Sequence, residues 1–109
     1  MRDRTDAVGR NEALFRDVNE RIRELTTQFV VPPPLEVVCE CADAGCTQRI
    51  EVPVQLYERV RADGGLFLVA PGHVAPDVES VREKHGSFEV VEKDPGPARD
   101  LAEELDPRS

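Results

Sequence analysis

A chain of 109 residues and 12.1 kDa holds one domain, and 39% hydrophobic residues with one Tyr, four Phe and no Trp give it a thin core in need of a staple. Its formal net charge of -8 is unevenly placed: residues 1–25 offset six Arg (Arg2, Arg4, Arg10, Arg16, Arg21, Arg23) with six acids, so the whole excess falls on residues 26–109. That acidic body is repelled by phosphate backbones, which disfavours a nucleic-acid partner anywhere but on the N-terminal arm, and no apolar run reaches the roughly 20 residues of a membrane span.

The opening stretch MRDRTDAVGRNE is charged and lacks the apolar centre of a secretory signal, so the chain is expected to be cytoplasmic, with its thiols reduced. Residues 6–29 read as one long amphipathic helix with Thr5 or Asp6 as its N-cap. Its apolar residues are Val8, Phe15, Val18, Ile22, Leu25 and Phe29, spaced three and four apart from Phe15 onward as on a coiled-coil seam, with Asn11 the polar member and Leu14 widening the stripe. Such a stripe needs cover from the chain's own module, from a second copy or from another protein, which makes the helix the expected partner surface. Glu12, Asp17, Glu20 and Glu24 interleave Arg10, Arg16, Arg21 and Arg23, leaving no clean basic face for nucleic acid. Val30 and Val31 lead into Pro32-Pro33-Pro34, which cannot continue a helix because each proline lacks an N–H and restricts the residue before it. The organisation predicted is a helical arm (1–30), a stiff proline linker (31–34), a metal-binding module (35–93) and a loosely ordered acidic tail (94–109).

Beyond the linker the period changes. Leu35–Val38 and Thr47–Val52 read as the two strands of a hairpin whose connection carries the cysteines. Pro53 suits the start of a short helix with Leu56, Tyr57 and Val60 on its apolar face, ending at Asp63-Gly64-Gly65. Leu66–Ala70 is a buried-type strand, turned out by Pro71-Gly72-His73. A second short helix is predicted from Pro76 to His85, with Val78 and Val81 inward and Gly86 as its stop, followed by a fourth strand at Phe88–Val91. The tail holds a helical turn or two around Leu101 and Leu105.

Cys39-x-Cys41-x4-Cys46 carries the chemistry. Three cysteines crowded into eight residues suit a metal better than a disulfide framework. Structural zinc takes four tetrahedral thiolate or imidazole ligands, and a tight hairpin can deliver three while a distant segment supplies the fourth. His73 is the best candidate for that fourth position, because its Pro-Gly turn follows a strand directly and fixes its backbone. His85 sits at a predicted helix C-terminus, which is reason enough for an imidazole there. Asp43, water or a partner's residue are the remaining ways to complete the shell. The bland alternative is three reduced cysteines packed as small hydrophobes. Glu40, Asp43 and Gly45 argue against it, since they make the segment polar and turn-like. Were the fourth position open, Glu40 could serve as a base and the centre could be catalytic, but no nucleophile elbow, phosphate loop or HExxH string accompanies it.

On RNEALFRDVNERI (10–22), CECADAGC (39–46), LYERVRAD (56–63), FLVAPGH (67–73) and VVEK (90–93), the chain resembles a group of uncharacterised short zinc-type proteins of GC-rich bacteria. They share the order of a charged N-terminal helix, a C-x-C-x4-C cluster and a PGH turn. The resemblance covers nearly the whole chain except the tail and implies a zinc-type fold without an activity. The cysteine cluster alone is also similar in spacing to the zinc cluster that follows SET methyltransferase domains, where the fourth ligand likewise comes from elsewhere; no methyltransferase function carries over.

These observations predict an α+β fold: a zinc-stapled sheet of about four strands with two short helices, preceded by the long amphipathic helix. One structural Zn2+ is assigned to Cys39, Cys41, Cys46 and His73. The function expected is that of a non-catalytic interaction or regulatory adaptor, with a thiol-based redox or zinc-responsive switch as the alternative and a metal-dependent enzyme behind it.

Overall fold

The computed structural model describes residues 4–26, 33–43 and 45–108. Among them the chain forms an α+β globule of three helices and two small antiparallel sheets. The first sheet is the hairpin of β1 (Leu35–Val38) and β2 (Arg49–Val52), in the register Leu35 opposite Val52 and Val38 opposite Arg49. Alternation puts Leu35, Val37, Ile50 and Val52 on its buried face and Glu36 and Glu51 in solvent. Pro53 then caps α2 (Val54–Arg61), which buries Tyr57 and Val60 as the sequence spacing predicts, and Arg61 as it does not.

The second sheet has the order β3-β5-β4, from β3 (Leu66–Val69), β4 (Glu79–Lys84) and β5 (Glu89–Lys93). All four residues of β3 are buried, which explains its unbroken apolar run. The helix expected over residues 76–85 is not formed; β4 occupies that stretch and turns through Gly86, at φ +78°, into β5. Val78 and Val81 fit a helical spacing, but Glu79, Val81 and Glu83 are the less exposed positions, an alternation of period two that two glutamates hide. A register shift between Val81 and Glu83 blurs it further.

The first helix, α1 (Arg4–Thr26), begins before Thr5 and Asp6, so neither is its cap. Its expected continuation through Phe29, and the start of the proline linker at residues 31 and 32, lie outside the described residues. The face it turns inward is the polar one: Glu12, Arg16 and Asn19 are buried beside Ala13. Ile22 packs on the core and Phe15 is half-buried, but Leu14, Val18 and Leu25 remain 57%, 40% and 61% exposed. The arm is thus partly covered by its own domain, through charge more than through the predicted stripe.

Residues 94–108 are also more firmly seated than the sequence suggests. Pro97–Glu104 forms α3, which packs against α1 and buries Ala102. Gly9 is where the two helices meet, since a Cβ there would lie 2.5 Å from Leu101 Cδ2. The Arg16 guanidinium donates to the carbonyls of Gly64 and Ala102, each at 2.8 Å, and lies 4.5 Å from the centre of the Phe67 ring. Further on, Arg108 bridges Glu20 of α1 and Glu58 of α2 at 2.7 and 2.9 Å.

Beneath α1, the fully buried Lys93 ammonium sits between two buried carboxylates, Glu12 at 2.6 Å and Glu79 at 2.8 Å. Two negatives share one positive, with Glu40 also in range of Glu12. Burial therefore outweighs Lys93 and lifts the Glu12 carboxyl from 4.5 to about 7. Because the folded value lies above the unfolded one, the buried carboxyl costs nothing below the unfolded value and destabilises increasingly as pH rises towards about 7. Glu12→Gln should accordingly gain on the order of 1–3 kcal/mol over wild type at about pH 8 and little at about pH 5. Lys93→Met, which leaves both carboxylates without their cation, should lose on the order of 3–5 kcal/mol. Urea denaturation across that pH range checks both, and a Glu12→Gln difference that does not grow with pH would count against the triad.

Candidate metal centre

The hairpin ladder carries one step past β1, where the Cys39 N–H donates to the Gln48 carbonyl at 2.9 Å. The chain then runs alongside β3: the Glu40 N–H donates to the Leu68 carbonyl at 2.7 Å, and the Ala70 N–H donates to Cys39 Sγ at 3.1 Å. Asp43 shapes the return, its Oδ1 accepting from the Gly45 N–H at 2.8 Å and its carbonyl from the Cys46 N–H at 3.0 Å. The segment bearing all three cysteines is therefore the seam between the two sheets.

His73 reaches this seam from the far end of β3. The Ala70 carbonyl accepts from the His73 N–H at 3.0 Å, with Pro71 second and Gly72 third in the turn at φ +82°. That is the sequence a type II turn demands, because its third position needs positive φ. The imidazole then lies with Nδ1 3.6 Å from Cys39 Sγ and 3.7 Å from Cys46 Sγ. One ligand atom from each of Cys39, Cys41, Cys46 and His73 falls within 4.8 Å of the other three.

Bonds of about 2.3 Å to sulfur and about 2.05 Å to nitrogen give a tetrahedral site S···N edges of about 3.6 Å and S···S edges of about 3.8 Å. The two S···N distances already match, and the rest close with shifts of about an ångström or less. The four side chains could hold a metal ion, and three sulfurs with one imidazole suit a thiophilic one. Cys39 and Cys41 are buried, while Cys46 and His73 are partly exposed. Burial pushes the Cys39 and Cys41 thiols above their ordinary range, so a metal entering here must displace protons. The N–H donated by Ala70 favours the Cys39 thiolate, in the manner of outer-shell donors at metal sites.

The other candidates are placed elsewhere. His85 stacks on Phe88 with centroids 4.8 Å apart and meets Glu83 Oε1 at 2.7 Å. The Asp43 carboxylate is engaged in its own turn. Glu40, the base of a catalytic alternative, is fully buried and bonded to Arg61, Asn19 and the Leu68 N–H. Of the arginines weighed for nucleic acid, Arg16 is buried and Arg23 pairs with Glu58 at 2.9 Å.

Two residues that frame the site were not singled out in the sequence: Asn19 and Arg61, both bonded to Glu40. The available signal was weak. Asn is a poor helix former in mid-helix, and Arg61 falls on the side of α2 that carries Tyr57. No family model matches the chain, and neither a curated protein nor a solved structure matches it.

Gly72→Ala leaves every donor atom in place and meets no neighbour, but forces an alanine to positive φ in the turn that aims His73. We expect metal affinity, measured by competition with a chromophoric chelator, to fall about tenfold, the equivalent of roughly 1.4 kcal/mol. An unchanged affinity would show that this turn does not position the imidazole.

Proposed function

We propose that the protein is a small zinc protein whose metal is structural, and that it serves as a non-catalytic interaction or regulatory adaptor. The convergence of three thiols and one imidazole within 4.8 Å, from two segments some 30 residues apart, is the observation that carries the zinc assignment. Zinc with four protein ligands keeps no position for water or substrate, and thiolates weaken it as a Lewis acid, which supports a structural role over a hydrolytic one. The metal ties the hairpin to the turn after β3, and its binding free energy adds to the stability of a domain with a thin core.

The test is direct. Native mass spectrometry of the full chain should find one zinc, and cobalt in its place should give the visible bands of a tetrahedral thiolate site. Cys39→Ser, Cys41→Ser, Cys46→Ser and His73→Ala should each lose metal and melt on the order of 10 °C or more below the wild type. Four variants with wild-type metal content and melting temperature would end the zinc assignment.

Support for the adaptor role comes from α1, which presents Leu14, Val18 and Leu25 to solvent beside the half-buried Phe15 and Ile22. This is a helix face of the kind that docks against a protein surface. A Leu14→Glu, Val18→Glu, Leu25→Glu triple variant should keep zinc and fold while losing self-association in light scattering or a specific partner in affinity capture. If wild type and variant are monomeric at every concentration and capture the same proteins, the stripe has no such role.

A redox-responsive reading has one observation in its favour: Cys46 is the partly exposed sulfur while Cys39 and Cys41 are buried. An oxidant would meet Cys46 first and release the metal.

A further inference from the structure

The residue between the first two cysteines points to a role for the site beyond stapling. The Cys39 and Cys41 sulfurs belong to the metal cluster, whereas the intervening Glu40 carboxylate is spent on three other elements. Its Oε1 accepts from the Leu68 N–H of β3 at 3.0 Å and from Arg61 Nη2 of α2 at 2.9 Å. Its Oε2 accepts from Arg61 Nη2 at 2.7 Å and from Asn19 Nδ2 of α1 at 2.7 Å. Asn19 completes the connection, its Oδ1 accepting from the Val38 N–H and its Nδ2 donating to the Val38 carbonyl, both at 2.8 Å. Glu40 and Asn19 are fully buried and Arg61 is 1% exposed.

We propose that Asn19, Glu40 and Arg61 form a lock that makes metal occupancy and the seating of α1 one coupled equilibrium. The inference rests on the zinc reading above and adds to it which element responds to the metal. Anchoring Cys39 and Cys41 fixes the backbone on both sides of Glu40, and with it the direction of the carboxylate that Asn19 needs. Without the metal, the segment 38–41 loses the anchors at its two sulfurs, and Asn19, through Glu40 and Val38, is the residue that passes its movement to α1. Elsewhere α1 is tied to the rest by side chains, through Lys93 on Glu12, the Arg16 bonds to Gly64 and Ala102, the packing of Ile22 and the pair of Arg23 with Glu58. It belongs to neither sheet, whereas β3 is hydrogen-bonded along its length to β5, so α1 is the element expected to open locally. Coupling is reciprocal, so a change confined to Asn19 must be felt in metal affinity although Asn19 touches no ligand atom. Asn19, Glu40 and Arg61 are positioning residues in this scheme.

The full-length chain, loaded with one zinc and then stripped by a chelator, is compared by hydrogen exchange. Metal removal should speed exchange of the α1 amides at least tenfold while β3 and β5 keep most of their protection. Asn19→Ala should weaken zinc binding about tenfold, with Arg21→Ala, at a side chain 79% exposed on the same helix, as a neutral control. Equal exchange of α1 in the two forms overturns the inference, as does loss of β3 and β5 protection to the same extent as α1. Wild-type zinc affinity in Asn19→Ala also overturns it, and should that variant not fold, the wild-type exchange comparison decides alone. A chain that holds no zinc at all removes both this inference and the reading beneath it; one zinc with an indifferent α1 removes the inference only.

Discussion

A single buried carboxylate, that of Glu40, sets much of the rest. It is wholly removed from water and satisfied by a guanidinium, a side-chain amide and a backbone N–H contributed by three different elements. A charge so placed tolerates few arrangements, because losing one partner leaves an uncompensated ion in a low-dielectric interior. The helices α1 and α2 and the strand β3 therefore have to meet at one point. The cysteines on either side of Glu40 inherit that placement, which is how a short polar segment comes to present its sulfurs to a histidine on another turn.

The same device recurs under α1. Lys93 between Glu12 and Glu79, and Arg16 between two backbone carbonyls and the face of Phe67, fill space that a larger protein would give to leucine and isoleucine. Buried ion pairs add little net stability compared with apolar groups of the same shape, so a core of this composition is specific more than it is strong. A metal ion held by Cys39, Cys41, Cys46 and His73 would suit such a core, because it would add stability where burial supplies little.

What could be read from the sequence divides along the same line. Where apolar residues do the packing, as in β1, β2, β3 and α2, periodicity placed the elements to within a residue or two. The grouping of Cys39, Cys41, Cys46 and His73, which could hold a metal ion, was legible for a different reason: thiol and imidazole chemistry identifies itself by residue type, and the Pro-Gly turn before His73 is a local signal. Reading failed where glutamates and arginines face inward. In α1 the visible apolar stripe is largely the outer face, and the inner face of Glu12, Arg16 and Asn19 looks like solvent-exposed helix. In β4, Glu79 and Glu83 disguised an alternation of two, and the valines at 78 and 81 suggested a helix. The docking of α3 was likewise unreadable, since it depends on Gly9 and Arg16, residues whose partners lie some 90 positions away.

The amide of Asn19 grips both the N–H and the carbonyl of Val38 at the outer side of β1, standing in for one residue of a neighbouring strand. A two-stranded hairpin has two open edges, each a template on which another chain can add. Here α1 lies across one of them, so the helix acts as a guard on the hairpin as well as a part of the core. Any event that lifts it would bare a strand edge flanked by Leu35 and Val37, and the molecule's exposure to β-type aggregation would then follow the same bond that aligns its cysteines.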